Sequence, residues 1–143
     1  MREYATQMEA ARKGIITPEM KIVAKKEYRT EEEIREWVAK GQVAICANRL
    51  HTCIDPNGVG SMLRTKINVN LGVSRDCKDY DVEMKKVQAA VDMGAEAIMD
   101  LSSHGNTQPF RRKLTSECTA MIGTVPVYDS VIAAGHRRPY RTG

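Results

Sequence analysis

Three strand-length apolar runs, each followed by a helical pattern, constrain this 143-residue chain more than any other feature. The runs are Thr65–Gly72, Ala95–Leu101 and Ala120–Tyr128. After the first, Asp79 or Asp81 caps a segment in which Met84, Val87 and Val91 share one helical face, and Gly94 closes it. After the second, Thr107–Leu114 reads as a short helix, and after the third another helix begins near Asp129. Strand–helix alternation with short connections predicts an α/β fold with parallel strands covered by helices.

In such folds ligands gather at the carboxyl ends of the strands. In the first run Ile67, Val69 and Leu71 form the apolar set, and Asn68 and Asn70 fall on the opposite face. An unpaired buried amide costs about 1–3 kcal/mol, so the two amides mark either an edge strand with one wet face or a strand that reaches a ligand. The other strand ends carry Met99 and Asp100, then Tyr128. By pattern alone Met99 reads as core packing, Tyr128 as a packed tyrosine, and Asn70 as a strand-end cap or a ligand contact. Asp100 reads as a helix cap or a buried acceptor, and His104, in a Gly/Asn loop, as a solvated histidine.

The region 1–61 reads as short helices followed by one strand and a loop. Tyr4–Lys13 is helical with Gly14 as its stop. Thr17-Pro18-Glu19 is a helix start, and Thr30-Glu31-Glu32-Glu33 is a capping box ahead of the apolar face Ile34, Trp37 and Val38, which Gly41 ends. Gln42–Ala47 reads as a strand, and Arg49–Ser61, with Pro56, Gly58 and Gly60, as a loop. Residues 62–132 hold the alternating part, and 133–143 form a basic tail.

Aromatic residues are 5% of the chain, too few for base-stacking platforms. Without Arg137, Arg138 and Arg141 the chain holds 19 basic and 18 acidic residues, so its charge of +4 belongs mostly to the tail. Nucleic acid and membrane are therefore not expected partners. No apolar signal core follows Met1, and the expected location is cytoplasmic. Of the four cysteines no two form a Cys-x-x-Cys pair, so reduced thiols are expected. Cys46, His51 and Cys53 lack the spacing of a common zinc module, and no metal ligand is assigned.

Five segments in order carry a family resemblance: Thr6-Gln7-Met8, Gly14-Ile15-Ile16-Thr17-Pro18-Glu19-Met20, Lys66-Ile67-Asn68-Val69-Asn70-Leu71-Gly72, Met99-Asp100-Leu101-Ser102 and Gly123-Thr124-Val125-Pro126-Val127-Tyr128. Over residues 6–132 the chain resembles phosphomethylpyrimidine synthase, the ThiC family of radical S-adenosylmethionine enzymes, in versions from anaerobic Firmicutes. The resemblance implies N-terminal helices followed by the first three βα units of a (βα)₈ barrel. It implies a homodimeric lyase of thiamine biosynthesis that turns 5-aminoimidazole ribonucleotide into hydroxymethylpyrimidine phosphate. In the family, S-adenosylmethionine is cleaved at a [4Fe–4S] cluster and a divalent metal, zinc, is also bound. It implies substrate contacts at Asn70, Met99 and Tyr128, and names no catalytic residue.

The chain departs from the family at Leu50, where an Asn is usual, and after Ile132. The later barrel strands, the metal-binding histidines and the Cys-x-x-Cys-x-x-x-x-Cys cluster motif have no counterpart here. The expectation is a truncated synthase, its tail a product of a frameshift or gene-model error, inactive and unstable alone. Two alternatives stand beside it. One is the paralogous 5-hydroxybenzimidazole synthase, which uses the same nucleotide. The other is a stand-alone α/β binding module whose Arg137, Arg138 and Arg141 recognise an acidic partner.

Overall fold

The computed structural model describes residues 3–135 and divides the chain into two compact units, Met1–Lys66 and Ile67–Gly143. The basic tail expected to carry Arg137, Arg138 and Arg141 lies outside the described residues.

The first unit holds α1 (Gln7–Arg12), α2 (Pro18–Glu27), α3 (Glu31–Ala39), β1 (Val43–Cys46) and β2 (Asn57–Gly60). Its helix starts are set by hydroxyl caps. The Thr6 hydroxyl accepts from the Glu9 N–H, Thr17 accepts from Met20, and Thr30 with Glu33 closes a full capping box. α1 is shorter than the Tyr4–Lys13 expected, because Thr6 takes the cap position. Ala10, Met20, Val23, Ile34 and Val38 form the core, with Trp37 packed against it. Each large apolar side chain so buried contributes about 1.5–3 kcal/mol.

The segment expected to be a loop from Arg49 to Ser61 contains β2, which pairs antiparallel with β1 from Val43↔Gly60 to Cys46↔Asn57. Glycine is required at position 60, where a Cβ would stand 2.4 Å from the Gln42 carbonyl oxygen. At the end of this unit the buried Glu27 carboxylate receives the Lys66 ammonium and, at 2.8 Å, the Arg64 N–H. These bonds outweigh the burial that opposes ionisation and hold the Glu27 carboxyl below the ordinary glutamate value.

The second unit is β3 (Asn68–Leu71), α4 (Tyr80–Asp92), β4 (Ala97–Asp100), α5 (Gln108–Glu117), β5 (Met121–Thr124) and α6 (Pro126–Gly135). The strands form a parallel sheet in the order β3-β4-β5. The chain is thus mixed α/β, with six helices and two sheets among the described residues. Val69, Leu71, Ile98 and Ile122 pack against Val87 and Ala90 of α4 and Phe110 and Leu114 of α5. Asp79 caps α4 through the N–H groups of Asp81 and Val82. Two boundaries differ from expectation. Ile67 precedes the strand and is 59% exposed, so it is not part of the apolar set. The third strand stops at Thr124, because Pro126 begins a helix, for which its fixed φ and missing N–H suit it.

Among the described residues no helix is long and apolar enough to cross a membrane.

Candidate functional site

Strand alternation sends the two asparagines of β3 away from the helices. Asn68 and Asn70 are exposed, while Val69 is half-buried and Leu71 buried. Asn68 Nδ2 donates to Asn70 Oδ1 at 3.2 Å, which fixes the two amides side by side. Register then continues the row: Asn70 pairs with Met99, and Met99 with Gly123. Asn70, Met99 and Gly123 therefore lie abreast at the carboxyl ends of three parallel strands, on the face opposite α4 and α5. An amide offers two donor hydrogens and an acceptor oxygen. The neighbouring thioether offers a soft apolar surface.

Tyr128 is not the close of the third strand but lies in the first turn of α6, where its N–H donates to the Val125 carbonyl at 3.0 Å. It is 39% exposed. The structure thus brings Asn70 and Met99 together by register and puts Tyr128 on the helix that follows their neighbouring strand.

The backbone leaving these strands is held by buried polar groups. Gly72, at φ +137°, donates its N–H to Glu83 of α4 at 2.9 Å, and Lys86 donates to the same carboxylate at 2.6 Å. Glu83 in turn raises the Lys86 ammonium above its ordinary pKa. The Val73 N–H donates to Ser102 Oγ at 3.1 Å, joining the turns after β3 and β4. Asp100 is fully buried: it accepts from the Ser102 N–H at 2.9 Å and from Arg111 Nε at 2.8 Å. Of its two sequence readings, the buried acceptor holds. Arg111 also donates through Nη1 to Asp129 of α6, which accepts from the Thr107 hydroxyl at 2.8 Å. Arg111 and Thr107 together hold the Asp129 carboxyl below the usual aspartate range. Burial pushes the Tyr80 phenol upward, aided by the nearby Asp100 charge. Tyr80 stacks on Phe110 at 5.0 Å and donates to the Asn106 carbonyl at 3.1 Å.

Arg111, Glu83 and Asp129 escaped sequence reasoning. Each sits on an amphipathic helix where a charge reads as solvated, and only the tertiary fold brings it to a partner. The one signal was Asp100, an acid ending an apolar strand.

His104 is half-buried in the loop after β4. Cys46 and Cys53 belong to the first unit, Cys77 and Cys118 to the second. Among the described residues no group of three His, Cys, Asp or Glu side chains is placed to hold a metal, so these residues do not fit a cluster or a zinc ion.

The Radical SAM ThiC family model matches residues 6–140. The chain is 63% identical over 129 residues to a phosphomethylpyrimidine synthase of Alkaliphilus oremlandii (strain OhILAs), a match covering 90% of this chain and 30% of that protein. It is 59% identical over 128 residues to the phosphomethylpyrimidine synthase of Clostridium botulinum (strain Hall), covering 90% of this chain and 29% of that one. The chain thus spans under a third of the length of the curated relatives it matches.

Proposed function

We propose, from the premise that this chain belongs to the Radical SAM ThiC family, that residues 6–132 form the substrate-side opening of a phosphomethylpyrimidine synthase of thiamine biosynthesis. Its substrate is 5-aminoimidazole ribonucleotide, and the residues that meet it are Asn70, Met99 and Tyr128. The observation that carries this reading is the register pairing of Asn70 with Met99 at the carboxyl ends of parallel strands. Ligands of α/β barrels and open parallel sheets sit there.

The three βα units are the start of a (βα)₈ barrel. Two features support this. Parallel sheets are normally covered on both faces, yet α4 and α5 cover only one face of β3–β5 within this unit. Val127 and Val131, one turn apart on α6, are 58% and 65% exposed, an apolar stripe of the kind a following βα unit would bury.

In the full-length family S-adenosylmethionine and a [4Fe–4S] cluster supply the radical chemistry and zinc is the further metal, and no residue of this chain is assigned to either metal group. The part of this chain is to orient the nucleotide. The Asn70 amide bonds its ribose or imidazole heteroatoms, Met99 packs against the ring, and Tyr128 offers an aromatic face with a phenolic handle. The same reading carries with it the family's homodimeric assembly and a cytoplasmic location.

The test is a titration of the chain, labelled with ¹⁵N and with ¹³C-methyl-methionine, with 5-aminoimidazole ribonucleotide at millimolar concentration. The expected result is a shift of the Met99 methyl and of the Asn70 side-chain amide. Shifts confined to residues 3–66, or none, overturn the site.

A further inference from the structure

We propose that Arg111 is a positioning residue that locks the first turn of α6, and with it Tyr128, to the end of β4, and with it Met99. Two of its donors reach two carboxylates, each next in sequence to a proposed substrate contact. Nε meets Asp100, the neighbour of Met99, at 2.8 Å, and Nη1 meets Asp129, the neighbour of Tyr128. Asp100 is fully buried and the Arg111 side chain is 20% exposed, so the Asp100 arm of the bridge is shielded from solvent, while Asp129, at 37% exposed, meets Arg111 nearer the surface. Thr107, itself buried, grips the other oxygen of Asp129 at 2.8 Å. The Arg111 N–H donates to the Thr107 carbonyl at 3.1 Å, so both grips on Asp129 come from one turn of α5.

A planar fork that joins two carboxylates cannot be copied by a single ammonium. Strand alternation puts Asp100 on the helix-covered face and Met99 on the other. Arg111 therefore acts from behind the sheet, without meeting a ligand on the Asn70–Met99 face.

The inference deepens the proposed site, but its test reads position and not binding. Amide hydrogen exchange is followed by NMR in the 143-residue chain and in Arg111→Lys and Asp129→Asn. Asp129→Asn leaves the Asp100–Arg111 pair intact and keeps the test decisive where loss of the arginine would unfold the sheet. The expected result in both variants is a loss of protection of about tenfold or more in the amides of α6, with α4 unchanged, together with shifts of the Tyr128 ring and Met99 methyl resonances, which report the position of the two side chains. A purely structural role would lower protection across α4, α5 and α6 alike. That pattern, or unchanged exchange in α6, overturns the inference. Failure of the ribonucleotide titration removes the site assignment and leaves the exchange result to stand or fall alone.

Discussion

Met99 lies across Gly123: a Cβ built on the glycine would stand 2.7 Å from Met99 Cε and 2.9 Å from its Sδ. The absence of a side chain on β5 thus fixes where the thioether of β4 rests. The obstacle to a larger residue is the far end of a flexible side chain and not backbone.

Gly123→Ala is therefore expected to lower stability by only about 1 kcal/mol, since Met99 turns aside at modest cost. The same turn moves the thioether off Gly123 and out of its place in the strand-end row, so ribonucleotide affinity is expected to fall more than stability does. Urea unfolding and the methyl-methionine titration, run on the same samples, check both halves.

Asn70→Ala separates binding from folding. Asn70 is exposed, and its bond to Asn68 at 3.2 Å is local to the strand, so the stability change is expected within about 0.5 kcal/mol. Ribonucleotide affinity is expected to fall about tenfold for the lost hydrogen bond. Asn68→Ala, which removes only the neighbour, costs less affinity. Equal losses in the two variants would remove Asn70 from its special place.

Glu27 gives the first unit a pH dependence of defined sign. Folding lowers its pKa from the ordinary 4.5. The stabilisation is therefore fully present above that value and is lost as pH falls through the lower folded value. Unfolding by urea, followed through Trp37, the only tryptophan, reports this unit. Wild type is expected to exceed Glu27→Gln at pH 7, with the difference closing below pH 4.5. A difference that does not change with pH contradicts the Lys66–Glu27 assignment.

What the sequence reveals of this fold is what local chemistry dictates. Thr17, Thr30 and Asp79 cap helices because a hydroxyl or carboxylate two or three residues ahead of free N–H groups needs no tertiary help. The amides of β3 face away from the helices because strand alternation leaves no other choice. β2 was illegible: Asn57-Gly58-Val59-Gly60 has little strand propensity, and only pairing with β1 makes it a strand. At the third strand the apolar run Val125–Tyr128 misled, and Pro126 decided for helix. The Asp100–Arg111–Asp129 bridge was invisible because its members come from β4, α5 and α6.

The most direct test of the account is a chimera in which residues 6–132 of this chain replace the matching region of the Alkaliphilus oremlandii synthase. With cluster content verified, the chimera is expected to convert 5-aminoimidazole ribonucleotide, and Asn70→Ala or Met99→Ala within it to lower kcat/KM by about tenfold or more. A folded, cluster-loaded chimera without activity, or one indifferent to both substitutions, would contradict the claim that this strand-end row holds the nucleotide.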